Sequence, residues 1–145
     1  MKTIVAAIDF SEQASVVIGR AAGLARVIGA SLHVLHVVAP EPDFVGYAPY
    51  AYPGRDERAD ELRKEKQELQ EIVNRFQHDG IEVKAFMKEA PTAEGIVDFA
   101  DQHGAELLVI GTHSKGLLKR LFVGSTAHAV ISHARIPVLI VPPMG

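Results

Sequence analysis

Short apolar runs alternate along the chain with longer amphipathic stretches, and these two patterns predict strands and helices respectively. Four runs are rich in β-branched residues and are typical of strands buried on both faces. These runs are residues 3–8, 31–38, 107–110 and 136–141. The run 107–110 is the most apolar and is expected to be a central strand. A fifth segment, 81–87, mostly alternates between apolar and polar side chains, which favours a strand nearer the edge of a sheet.

Between the strands, apolar positions recur every three to four residues, which predicts amphipathic helices. Glycines at 29, 80 and 104 follow three of these stretches and are suited to ending a helix. The predicted helices are residues 11–29, 56–79, 91–104 and 124–134. Segment 39–55 holds four of the eight prolines and all three tyrosines, so it is expected to be a long loop.

The alternating order of strands and helices predicts an α/β fold, a doubly wound five-stranded parallel sheet flanked by four helices. Ligands of such sheets bind at the carboxyl ends of the strands, where the strand order reverses. Candidate chemistry is therefore sought in the residues that directly follow each strand. Asp9 follows the first strand, and the segment 111–126 follows the fourth.

Composition narrows the function classes. The chain has 145 residues, no cysteine and a net charge of −3, so one domain over 1–145 is expected, without disulfides or thiolate sites. The slightly acidic balance argues against a nucleic-acid partner. No apolar run approaches the length of a membrane span, and the first run is too short for a signal core. A cytoplasmic protein with no membrane partner is the expectation.

The segment 111–126 has two features that suit an anion. Gly111 and Gly116 permit tight bends with exposed N–H groups, and Gly124-Ser125 opens a helix whose N-terminus favours phosphate. Three basic side chains add positive charge. They are Lys115, Lys119 and Arg120. An ordinary surface loop with a serine cap remains the alternative.

Two well-known phosphate loops are excluded by the spacing. A Walker loop needs Lys-Ser or Lys-Thr after its second glycine, whereas Gly116 is followed by Leu117-Leu118. No G-x-G-x-x-G follows any predicted strand.

The element order and this segment resemble the universal stress protein family, whose nucleotide-binding members carry G-x2-G-x9-G-[ST]. Gly111, Gly124 and Ser125 match the motif, and Ser114 stands where the second glycine is. A Cβ at Ser114 narrows the approach of a phosphate, while its hydroxyl can donate to one. Other stretches that resemble the family are 8–11, 35–37, 109–113 and 136–141.

The resemblance implies an adenine nucleotide site. Asp9 would lie near the adenosine, with capping of the first helix as the alternative role. Val37 and Ile110 would be apolar walls for adenine, with a place in the core equally natural. The ribose and phosphates would be lined by Gly111, Gly124, Ser125 and Thr126. The loop residues Thr112, His113 and Ser114 complete the implied set.

The implied ligand is ATP, with ADP or AMP as alternatives, and Mg²⁺ or Mn²⁺ beside the phosphates. Asp9 is the only obvious carboxylate, so such a cation would be held mostly by phosphate and water. The histidines do not form a ligand set in the sequence. His33 and His36, three apart on a strand, should face opposite sides of the sheet.

The resemblance implies a stress-response regulator or energy-status sensor that binds ATP with little or no hydrolysis, and no enzyme. The alternative is a protein-interaction module that binds no nucleotide, with Tyr47, Tyr50 and Tyr52 contacting an unknown protein partner. An ATPase or nucleotidyl transferase is the weakest hypothesis, because the H-x-G-H signature is absent. The apolar strand 136–141 and the resemblance together predict a homodimer through this strand.

Overall fold

The computed structural model describes residues 2–40, 55–77, 80–112 and 124–143. Strands and helices alternate along these residues. The strands are β1 (Thr3–Ile8), β2 (Ser31–Val38), β3 (Val83–Glu89), β4 (Leu107–Gly111) and β5 (Val138–Val141). The helices are α1 (Ala14–Ile28), α2 (Arg55–Asn74), α3 (Thr92–Gln102) and α4 (Ser125–His133).

The five strands form one parallel sheet in the order β3-β2-β1-β4-β5. Successive strands run outward from β1 on one side, and the chain then crosses to β4 on the other side. The strand order therefore reverses between β1 and β4. The predicted doubly wound α/β fold is confirmed, as is the position of β3 at an edge. The central strand is β1, and β4 lies between it and β5.

Two apolar layers cover the faces of the sheet. On one face, α1 and α2 pack on Ile4, Ala6 and Val109 through residues such as Ile18 and Leu69. On the other face, α3 and α4 contribute Ile96, Phe99, Ala127 and Val130, which pack on Val5, Leu35, Leu108 and Ile110. Strands covered on both faces need apolar side chains at successive positions, which explains the continuous runs in β1, β2 and β4.

Two helices differ from their predicted bounds by more than two residues at one end. The first begins at Ala14 and not at Ser11, because residues 9–13 form a turn in which the Ala14 N–H donates to the Ser11 carbonyl at 3.1 Å. It ends as predicted at Gly29, whose φ of 70° is left-handed. The second ends at Asn74, five residues before the predicted end. There the Phe76 N–H donates to the carbonyl of Val73, three residues back, which closes a tight turn.

Two strands also differ from the prediction, each by two residues. β3 runs two residues later than 81–87, because it pairs with β2 from Leu32–Val83 to Val38–Glu89. β5 begins at Val138 and not at Ile136. Pro137 has no N–H to donate, although its carbonyl accepts from the Leu108 N–H at 3.0 Å.

An aromatic cluster lies on the α3 side of β2. The His33 ring packs on Phe86 with 4.8 Å between centroids and on His103 with 5.5 Å, and His103 stacks on Phe99. Burial lowers the pKa of His33, and the neighbouring His103 lowers it further. His36 lies on the other face of the sheet, against Phe10. The predicted opposite orientation of the two histidines is confirmed.

The lowered pKa of His33 predicts that the protein loses stability in mild acid. Below pH 6.5 the unfolded chain takes up a proton at His33 that the folded chain resists, so the free energy of unfolding falls with pH. The fall ends once the pH is below the folded-state pKa. Urea unfolding should show that the free energy of unfolding falls more between pH 7.5 and pH 5.5 in the parent than in His33→Phe. An equal loss would contradict the prediction, and His128→Gln, on exposed α4 surface, is the control.

Candidate functional site

The reversal of strand order brings the ends of β1 and β4 side by side. Ala7 is in register with Ile110, so the residues that follow, Asp9 and Gly111, lie at adjacent strand ends. Both were predicted site residues. The start of α4 is joined to the same place, because the Gly124 N–H donates to the Thr112 carbonyl at 2.8 Å. The carboxyl edge of β1 and β4 is therefore the candidate site.

Asp9 is exposed and begins the turn before α1. One of its carboxylate oxygens accepts from the Ser11 N–H at 3.0 Å, and the Ser11 hydroxyl accepts from the Gln13 N–H at 3.3 Å. This contact stabilises the turn before α1 and does not cap the helix, whose N-cap residue is Gln13, so the alternative role of Asp9 as a cap of the first helix is wrong. The carboxylate nevertheless remains open to solvent at the edge of the site.

The N-terminus of α4 supplies N–H donors that have no partner inside the helix. The first hydrogen bond inside the helix runs from the His128 N–H to the Gly124 carbonyl at 2.9 Å. Gly124 has no side chain with which to cap the helix. The N–H groups of Ser125 and Thr126 thus begin the helix without partners inside it, and both residues are exposed. The positive end of the helix dipole adds to their attraction for an anion.

Thr112 connects the strand to this helix terminus. Its N–H donates to the Val141 carbonyl at 3.2 Å, and its own carbonyl accepts from Gly124. Its hydroxyl is buried and finds no hydrogen-bond partner among the described residues. A buried hydroxyl without a partner is costly, so this oxygen is suited to receive a polar group of a ligand or a water.

Gly111 does not make the tight bend that was expected of it. It belongs to β4, pairs with Val141 and does not adopt a positive φ. A Cβ at this position would instead meet the side chain of Gln13, with its Oε1 only 2.7 Å away. The Gln13 amide also donates to the Val141 carbonyl at 2.7 Å. The sequence carried no signal for Gln13, because its partners lie at the far end of the chain.

Val37 and Ile110, the predicted adenine walls, are buried in the core beneath α3 and α4. Val37 packs against α3 at Gly95, where an added Cβ would lie 2.9 Å from a Val37 methyl group. The described residues therefore show the core contacts of both side chains. The glycine at 95, inside a helical pattern, is the type of signal that indicates such close packing.

The end of β2 is tied to the end of β1 by His36. Its Nδ1 donates to the Ile8 carbonyl at 3.1 Å, and its ring packs on Phe10 with 4.4 Å between centroids. Its Nε2 lies 3.5 Å from a carboxylate oxygen of Glu65 on α2. These contacts hold the backbone just before Asp9, a role that the sequence did not indicate for His36.

A cleft of about 260 Å³ lies beside the same turn, between Phe10 and the C-terminal half of α2. Its charged side chains are Glu12, Glu68, Glu71 and Arg75. Three carboxylates against one guanidinium disfavour an anion there. The start of α4 is the better place for phosphate.

Several predicted features lie outside the described residues. They are His113, Ser114, Lys115, Gly116, Lys119 and Arg120 of the loop, and Tyr47, Tyr50 and Tyr52 of segment 39–55. Within the described ranges, no group of three or more histidine and carboxylate side chains is arranged to hold a metal ion. The same ranges contain no helix both long and apolar enough to cross a membrane.

The fold places this chain in the class of doubly wound α/β proteins. Its candidate site lies at the carboxyl edge where the strand order reverses, and the start of α4 makes that edge suited to an anion. The model of the universal stress protein family matches residues 1–142. The Thermus aquaticus protein called "Universal stress protein in QAH/OAS sulfhydrylase 3'region" is 33% identical over 142 residues, which is 97% of this chain and 98% of the relative. The chain belongs to the universal stress protein family, as its motifs predicted.

Solved structures agree with this assignment. A universal stress protein from Archaeoglobus fulgidus superimposes with a TM-score of 0.75 at 29% identity, covering 97% of this chain and 98% of that one. A structure of the universal stress protein from the same organism in complex with dAMP gives a TM-score of 0.70 at 26% identity, with 97% of each chain covered.

Proposed function

We propose that this chain is a cytoplasmic, single-domain stress-response regulator that binds adenine nucleotides, with ATP as the main ligand and ADP or AMP as alternatives. The observation that carries the proposal is the junction of β4 with α4. There the Gly124 N–H donates to the Thr112 carbonyl. The N-terminus of α4, whose first N–H groups have no partner inside the helix, therefore lies at the edge where the strand order reverses. The family relative in complex with dAMP supports an adenine ligand.

In this proposal the phosphates bind at the start of α4. Gly124 leaves room for close approach, and the N–H groups of Ser125 and Thr126, with their hydroxyls, donate to phosphate oxygens. The unpartnered Thr112 hydroxyl donates to the ribose or to a phosphate. His113 and Ser114, which lie between Thr112 and Gly124 in the sequence, would complete the phosphate side.

The adenosine would lie toward β1 and β2. Asp9 accepts from a ribose hydroxyl through the carboxylate oxygen that does not cap the turn. Val37 and Ile110 form the apolar floor beneath the base, where their core packing makes them rigid. Gly111, at the end of β4, lies beneath the ribose, between base and phosphates.

A divalent cation, Mg²⁺ or Mn²⁺, would be held mainly by phosphate oxygens and water. Asp9 is one exposed carboxylate at this edge, and one carboxylate with phosphate oxygens is a donor set typical of Mg²⁺ sites. The cation would neutralise phosphate charge. We propose binding with little or no hydrolysis, and a role in sensing energy status, because among the described residues of the proposed site only Asp9 could act as a general base.

Two measurements test the proposed function. Mass spectrometry of ligand released from gently purified protein should identify an adenine nucleotide. Calorimetric titration of ligand-free protein should then rank ATP, ADP and AMP. A protein that carries no nucleotide and binds none in titration would reject the proposal and favour a protein-interaction module without nucleotide.

We further propose a homodimer through β5. This strand is at one edge of the described sheet, and its Leu139 side chain is 37% exposed. Apolar edge strands tend to pair with another chain. Leu139→Asp should shift the protein from dimer to monomer in sedimentation equilibrium at micromolar concentration. Val27→Asp adds the same charge at an exposed apolar position on α1 and should leave the dimer intact. A monomeric parent would reject the proposal.

A further inference from the structure

We propose that Gln13 is a positioning residue of the nucleotide site, and that Gly111 is glycine in order to make room for it. This inference rests on the proposed function. Gln13 is the N-cap residue of α1, yet its side chain makes no capping contact with that helix. Its amide instead reaches across the end of β4 to the Val141 carbonyl on β5, at 2.7 Å.

The Gln13 amide begins a chain of hydrogen bonds that ends at α4. The Val141 carbonyl accepts from Gln13 Nε2 and also from the Thr112 N–H, at 3.2 Å. The Thr112 carbonyl in turn accepts from the Gly124 N–H at 2.8 Å. The starts of α1 and α4 are thus linked across the ends of β4 and β5. Gln13 thereby holds the Thr112 and Gly124 backbone in the geometry that presents the helix N-terminus to a phosphate.

Gly111 leaves the space that Gln13 fills. A Cβ at 111 would lie 2.7 Å from Oε1 of Gln13, 2.9 Å from its Cδ and 3.3 Å from its Nε2. Backbone conformation does not demand glycine here, because Gly111 has no positive φ and pairs within the sheet. The first glycine of the motif is therefore explained by a contact within the protein, and the ligand need not touch the missing Cβ.

The two positions give a double-mutant cycle. Gln13→Ala removes the amide and should weaken ATP binding about fivefold, the change expected for one net hydrogen bond. Gly111→Ala should have nearly the same effect, because a flexible glutamine side chain turns away from the new Cβ and loses Val141. The double variant should also be about fivefold weaker, since either change alone already removes the link.

Titration calorimetry measures ATP binding by the parent, the two single variants and the double variant, well below their unfolding temperatures. Urea unfolding of the same four proteins measures their stability. Ser15→Ala, an exposed position on α1, is the control and should bind ATP as the parent does. A double variant weakened about 25-fold, the product of the single effects, would overturn the inference and assign Gly111 to ligand contact. Unchanged binding by Gln13→Ala would overturn it as well.

Failure of the proposed function gives a different result. In that case the parent itself binds no ATP, which rejects the nucleotide site and the positioning role together. The unfolding free energies then still report whether Gln13 and Gly111 are coupled, because the effects of independent positions on stability add.

Discussion

Gly124→Asp should weaken ATP binding about 30-fold or more while the protein stays fully folded. An added carboxylate about 8 Å from a phosphate charge costs about 2 kcal/mol at an effective dielectric of 20, which corresponds to about 30-fold in affinity. The backbone permits this change, because Gly124 has φ −57° and ψ 159°, which any residue can adopt. Aspartate is moreover a preferred N-cap and should raise stability by a few tenths of a kcal/mol.

Gly124→Asn is the matched control for this result. Asparagine has the shape and capping ability of aspartate without its charge, so the ratio of the two affinities isolates electrostatic repulsion. The ATP affinity of Gly124→Asn divided by that of Gly124→Asp should become smaller at 1 M salt. Adenosine lacks phosphates, so it should bind both variants equally. Equal ATP affinities of the two variants would move the phosphates away from the start of α4.

Gly95→Ala should lower the free energy of unfolding by about 1–3 kcal/mol, the usual cost of overpacking a core. The new Cβ would lie 2.9 Å from a Val37 methyl group and 2.9 Å from Ala90 Cβ. Neither atom can move easily, since valine is stiff at χ1 and the Ala90 Cβ is fixed to the backbone. The gain in helix propensity does not offset this clash.

Gly23→Ala provides the matched comparison, because it makes the same change inside α1 where a Cβ would meet nothing within 4 Å. It should stabilise the protein by about 0.5–1 kcal/mol, through helix propensity alone. Urea unfolding measures both variants. If Gly95→Ala stabilised the protein as much as Gly23→Ala does, the close packing of α3 on Val37 would be refuted.

The sheet and its family could be predicted because both are encoded locally. The runs at 3–8 and 31–38 match β1 and β2 residue for residue, since strands covered on both faces require continuous apolar side chains. The family could be predicted because its motif is defined by the spacing of residues along the chain, from Gly111 to Ser125. Element ends were less predictable, as α2 and β3 show, because helix termination and strand register depend on neighbours.

The candidate site was predictable in part. Asp9, Thr112 and Gly124 follow from the rule that ligands of parallel sheets bind at carboxyl ends, and the structure brings all three to one edge. The reason for the glycine at 111 was not predictable. Its first interpretation as a bend is wrong, because what fills the space beside it is a side chain from another part of the chain.

Local pattern thus established the strands, the helices, the family and the segment that carries the motif. Folding established which distant groups meet. Gln13 and the Val141 carbonyl are 128 positions apart, and Gly95 approaches Val37 across the interface of α3 with β2. The physical reason is that hydrophobic periodicity is a property of neighbouring residues. The partner of a polar side chain, or the space beside a glycine, exists only after separate elements have packed together.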